Sequence, residues 1–174
     1  RTFFNRTPIP DELENRMVEK IRKKFGNTPV AVRSSGIGED SGELSFAGLH
    51  ESVLNVAGTE AIIKTIKTIW ASLWSDAALL YRQELGLEVE TSAMAVLVQR
   101  FIPGTYSGVI FSQSPLDSRY SIIEVVPGLA KGLVDGTVEP ERWEIDRRDG
   151  EIHSHLLPTE PRQTIANAED GVRK

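Results

Sequence analysis

The stretch with the clearest chemical potential runs from Val30 to Val56, VAVRSSGIGEDSGELSFAGLHESVLNV. Two β-branched runs, Val30-Ala31-Val32 and Val53-Leu54-Asn55-Val56, bracket a segment rich in Gly, Ser, Asp and Glu. One cation, Arg33, stands at the mouth of the first run. That combination suits an anion. Glycines admit close backbone approach, Ser hydroxyls and free N–H groups donate, and the guanidinium offers a two-pronged fork. On residue types alone, a surface turn with Arg33 against a neighbouring carboxylate is the competing reading. Glu39, Asp40 and Glu43 in the same segment read as a solvated acidic turn, because their spacing matches no ligand pattern. His153 and His155 alternate onto one face of an expected strand, but no third ligand accompanies them, so no metal ligand is assigned.

The elements that must position Arg33 are legible on either side of it. Leu13, Met17, Ile21 and Phe25 recur at a helical period from Asp11 onward. Acids sit at the start of that run, Arg22, Lys23 and Lys24 at its end, and Gly26 follows. Pro29 stops the helix and opens the Val30 to Arg33 strand. Gly58-Thr59-Glu60 opens the longest helical run, whose stripe of Ile62, Ile66, Ile69, Trp70, Leu73 and Trp74 is expected to be core. Ser75-Asp76 caps a second segment that ends at Gly86. Three strand patterns follow, Ala93 to Phe101, Ser107 to Ser112 and Tyr120 to Val126, with a turn at Pro103-Gly104 joining the first two. Leu129 to Val134 suits a helical turn, and Trp143 to His153 reads as a hairpin turning at Gly150. From Pro158 the text is polar and aperiodic, as a linker or frayed end would be. The order of elements predicts an α+β fold. It divides into residues 1–92 (helices and the Arg33 strands), 93–157 (strand-rich) and 158–174 (polar tail).

Composition narrows the partners. With 174 residues the chain has room for one domain or two small lobes, and 40% hydrophobic with 26% charged residues is ordinary for a globular protein. A formal net charge of -5 argues against nucleic acid as a partner. No apolar run approaches the roughly 20 residues that span a bilayer, so no membrane is expected. The N-terminal RTFFNRTPIP lacks the apolar region of a signal peptide. Cysteine is absent, which removes disulfides, thiolate nucleophiles and Cys-held metals. A cytoplasmic address is the default expectation.

The VAVRSS run at Val30 to Ser35, Glu39-Asp40, the SFAG run at Ser45 to Gly48, Leu54-Asn55-Val56 and the ASLWSDAALLYR run at Ala71 to Arg82 together resemble the ATP-binding domain of the phosphoenolpyruvate synthase and pyruvate, phosphate dikinase family. The resemblance implies an ATP-grasp-like fold, in which two α+β lobes hold the nucleotide in a cleft, and this chain matches part of that domain. It implies that Arg33 grips ATP phosphate and takes part in transfer. It implies that Ser45, Ala47 and Gly48 belong to a loop covering the phosphates. Gln99, Arg100, Phe101 and Ile102 are then expected along the adenine edge, where main chain supplies one donor and one acceptor and Val98, Phe101 and Val109 an apolar slot. Mg2+ would neutralise ATP charge, its ligands expected outside the chain. The implied activity is that of a pyruvate, water dikinase: phosphoryl passes from ATP to a carrier histidine on another domain, then to pyruvate on a further domain. A related transferase acting on phosphate-linked pyruvate, an antibiotic or a glucan is the alternative, as is a non-catalytic nucleotide-sensing module. Gly128 to Pro140, GLAKGLVDGTVEP, resembles a Gly-rich stretch of the family but departs from it at Ala130 and Lys131. Lys131 puts a cation where the pattern has an acid.

Overall fold

The computed structural model describes residues 6–36, 52–86, 92–167 and 171–173. Two compact units emerge, Arg1–Phe101 and Ile102–Lys174.

In the first unit, helix α1 (Asp11–Phe25) carries acids in its first turn and Arg22, Lys23 and Lys24 in its last, each sign complementing the helix dipole. Gly26 ends it at φ 56, a conformation that costs glycine little. Strands β1 (Val30–Gly36), β2 (Ser52–Val56) and β3 (Met94–Arg100) form an antiparallel sheet in the order β2-β1-β3. Helix α2 (Thr59–Ser72) lays Ile62, Ile63, Ile66 and Ile69 onto this sheet, where Val30, Val32 and Val56 meet them with Ile9 and Ile21. Ile62, Ile69, Val30 and Val32 have no exposed surface. Each fully buried aliphatic side chain of this kind contributes roughly 1.5–3 kcal/mol. Helix α3 (Asp76–Glu84) starts at Ser75, whose Oγ accepts the Ala78 N–H at 3.2 Å, as its cap role requires. Trp70 and Trp74 are only half-buried and, with Leu73 and Met94, line a shallow apolar hollow; the Ile positions of the stripe carry the core.

The second unit is a meander: β4 (Tyr106–Phe111), β5 (Tyr120–Pro127), β6 (Glu141–Asp146) and β7 (Ile152–Leu156) pair in sequence, all antiparallel. A single helical turn, α4 (Lys131–Val134), interrupts it. Short strands β8 (Ile165–Asn167) and β9 (Gly171–Arg173) form a ribbon. Ile122, Val126, Leu129 and Val138 are buried, and polar and ring contacts brace the strands beside them. Arg142 lies 3.2 Å from Glu144 and 3.9 Å from Glu124, and the Ser154 hydroxyl donates to Glu144 at 3.0 Å. His155 stacks on Trp143 and sits 2.7 Å from Glu141, while His153 stacks on Tyr120.

Two features differ from what the sequence suggests. The strand at Ala93 to Phe101 does not form a hairpin with the next: β3 pairs with β1 and β4 with β5. The two compact units divide after Phe101, and seven ladder positions tie β3 to the first sheet. The segment after Pro158 is not simply a frayed tail. Thr164 is 1% exposed, its carbonyl accepts the Leu129 N–H at 2.8 Å, and it bridges Gly128. A side chain at Gly128, where φ is 79, would collide with that carbonyl, so glycine permits the docking.

Candidate functional site

Arg33 directly follows the buried Val30, Ala31 and Val32, and strand alternation turns it away from the face that Val30 and Val32 present to the helices. Across the sheet its partners are Leu97 on β3, 50% exposed, and Ser52 on β2, also exposed. Among the described residues the exposed Arg33 makes no ion pair and no hydrogen bond. The carboxylate partner of the competing reading is therefore absent among them. This guanidinium can still bind an anion.

The four residues expected along an adenine edge are treated unequally by the fold. Gln99 opposes Ala31 and so shares the Arg33 face; the Arg100 side chain, opposing Val30, starts from the other face. The Phe101 N–H donates to the Pro29 carbonyl at 2.9 Å and is not available to a ligand. That bond makes Pro29 and Phe101 a hydrogen-bonded pair, so Val30 and Arg100 form the non-bonded pair next to it. The Arg100 amide and carbonyl consequently face the outer edge of β3, an edge strand among the described residues. Ile102 follows at 76% exposed. Ser45, Ala47 and Gly48 lie outside the described residues, as do Glu39, Asp40 and Glu43.

Elsewhere several charged groups are already engaged. Arg82 is 5% exposed and donates to the Leu73 carbonyl at 2.7 Å, closing the end of α2; burial lowers its pKa. Arg119 grips Asp117, and Arg148 grips Asp146, both through paired hydrogen bonds. These side-chain bonds hold both carboxyls at about 2, below the usual aspartate range. The Gly128 turn is clamped by Thr105, Ser107 and Thr164, leaving Lys131 exposed. Among the described residues no three His, Asp or Glu converge on a metal position. Sequence reading missed Ser52 as the cross-strand neighbour of Arg33, because the partner of Arg33 depends on a strand register that periodicity does not reveal.

An exposed guanidinium, unengaged among the described residues, on a sheet whose edge presents main-chain donor and acceptor is chemistry that fits a nucleotide with its phosphates. With helices packed on one face of an antiparallel sheet and a second strand-rich unit, the chain is an α+β protein of ATP-grasp-like type. It belongs to the family of the pyruvate phosphate dikinase AMP/ATP-binding domain, which it matches over residues 1–174. It is similar to the phosphoenolpyruvate synthase of Aeropyrum pernix, 41% identical over 87% of this chain and 19% of that protein. It is similar to a probable phosphoenolpyruvate synthase of Staphylothermus marinus, 36% identical over 90% of this chain and 20% of the relative. A rifampicin phosphotransferase of a Streptomyces species is 33% identical over 100% of this chain and 20% of its own length. The chain thus spans about one fifth of the length of these relatives.

Proposed function

We propose that this chain is the ATP-binding portion of a phosphoenolpyruvate synthase-like phosphotransferase. The observation that carries the reading is Arg33: exposed, unpaired among the described residues, and sharing its sheet face with Leu97 and Gln99. In this reading Arg33 binds the ATP phosphates and steadies charge as the phosphoryl group leaves. The outward carbonyl and amide of Arg100, with the amide of Ile102, read the adenine edge; Gln99 lies beside them, and Phe101 contributes its ring, not its N–H. Ser45, Ala47 and Gly48 cover the phosphates. Phosphoryl then passes to a carrier histidine on another domain and on to pyruvate, in a protein of which this chain is one part. Mg2+ travels with the ATP phosphates; the described residues supply no three-ligand site for it. A cytoplasmic address accords with ATP supply.

A second acceptor is favoured by a specific observation. The match to a rifampicin phosphotransferase covers the whole chain, and Lys131 places an exposed cation in the Gly-rich turn. An antibiotic hydroxyl in place of pyruvate is therefore the alternative.

Titrating ATP into the complete protein tests the core of the reading. Arg33→Ala is expected to weaken binding about ten-fold or more, since a charged bidentate contact is lost. Unchanged affinity would remove Arg33 from the site. Assaying the complete protein with ATP and either pyruvate or rifampicin separates the two acceptors: phosphoenolpyruvate formation supports the first, a phosphorylated antibiotic the second.

A further inference from the structure

Residues 158–163 are half-buried or exposed, yet Thr164, which ends the stretch, is 1% exposed. Two hydrogen bonds fasten this stretch across the excursion that joins β5 to β6. Near β6, the Thr159 N–H donates to the Glu139 carboxylate at 2.7 Å. Near β5, the Thr164 carbonyl accepts the Leu129 N–H at 2.8 Å, and Thr164 bridges Gly128. The stretch is therefore a strap tied to both ends of the turn that carries α4 and Lys131.

One of these ties carries its own opposition. The Thr164 hydroxyl is buried and makes no hydrogen bond among the described residues. It lies against Gly132, where an added Cβ would meet both Thr164 Oγ1 and a Val138 methyl. A buried hydroxyl without a partner opposes docking, because water satisfies it once the strap lifts. Valine has the same branched outline and lacks that penalty. Pro158 and Pro161 act in the other direction: they restrict the lifted strap, so less chain entropy is lost when it returns. Such a strap can lift and settle while the sheet beneath it stays paired.

We propose that residues 159–164 are a reversible latch on the Lys131 turn, and that the buried Thr164 hydroxyl favours its opening. Hydrogen exchange of the complete protein tests this. The Leu129 amide is expected to exchange at least about ten-fold faster than amides at the centre of β5, at a rate that low denaturant leaves unchanged. Thr164→Val is expected to slow Leu129 exchange about five-fold or more with β5 unaffected, and Thr164→Ser, which keeps the hydroxyl, is not expected to slow it. Glu139→Ala, which removes the other tie, is expected to speed it about two- to five-fold. Trypsin cleavage after Lys131 under native conditions reads the same opening and should follow the same order. Leu129 exchange that responds to denaturant as the centre of β5 does overturns the latch. Unchanged or faster exchange in folded Thr164→Val, or equal slowing in Thr164→Ser, overturns the role of the hydroxyl. Should Thr164→Val fail to fold, Glu139→Ala decides: unchanged Leu129 exchange and Lys131 cleavage overturn the latch, and faster rates in both support it.

Discussion

In the first unit, Ile and Val side chains from two helices and two strands close over one face of a three-stranded sheet. In the second, four strands share a smaller buried set and are cross-braced by charge and by stacked rings. The arginines follow suit. Arg119, Arg142, Arg148 and Arg162 of the second unit each lie against a carboxylate, whereas Arg33 of the first has none among the described residues. Surface ion pairs contribute about 0–1 kcal/mol each, so the second sheet engages several guanidinium groups for modest returns in stability. A sheet held by aliphatic packing needs no such help and can leave a cation open to a ligand. Arg33, at the end of the buried run of β1, is the guanidinium of that sheet to test as a ligand.

The largest expected effect probes the aliphatic half of this contrast. Ile69→Ala should destabilise the first unit by about 2–5 kcal/mol, as read by denaturant unfolding. A loss below about 1 kcal/mol would mean that the core is not what holds this sheet. Next, Gly128→Ala in the second unit should cost about 1–3 kcal/mol from backbone strain, and should release Thr164. Faster hydrogen exchange at the Leu129 amide reports that release, and unchanged protection would contradict the clamp. Sharper still is a pair of arginines within the first unit. Arg82→Ala should lose about 1–3 kcal/mol of stability, since the buried Leu73 carbonyl loses its donor. Arg33→Ala should stay within about 0.5 kcal/mol of wild type while losing ATP affinity. Thermal unfolding and titration of both variants separate a structural guanidinium from a ligand-binding one.

The smallest effect is acid sensitivity of the second unit. Asp117 and Asp146 titrate at about 2 in the fold, against 3.8 ordinarily, so the folded form binds their protons less tightly than the unfolded form. Their contribution is complete above the ordinary value and fades as pH falls from 3.8 toward about 2. Replacing both with Asn should flatten that acid limb of the unfolding midpoint. A limb that keeps its slope assigns the sensitivity to other carboxyls.

Much of this could be read in the chain before any coordinates. The helix from Asp11 to Phe25 declares its length through four apolar positions, a charge gradient and a terminal glycine, all local signals. Ser75 as a cap, and the strands near Val30, Tyr120 and Trp143, are local in the same sense. The pairing of β3 was not legible, because Pro103-Gly104 suggests a hairpin while the actual partner lies some sixty residues earlier and is chosen by a shared core face. Nor was the docking of Thr164, which depends on a carbonyl meeting a residue without a side chain at Gly128. At the site, the choice of Arg33 came from residue type and context, whereas its neighbour Ser52 and the unavailability of the Phe101 amide are properties of register.

Pro29 has a consequence of its own. An imino acid can take a bond through its oxygen but has no hydrogen to return, so the rung it shares with Phe101 is single. Zippering of the third strand against the first therefore stops at that rung for want of a donor, and at Ile102 the polypeptide is free to leave the sheet. The border between the two halves is thus written some seventy positions upstream of where it falls. Pro29→Ala would supply the missing hydrogen and make that rung double.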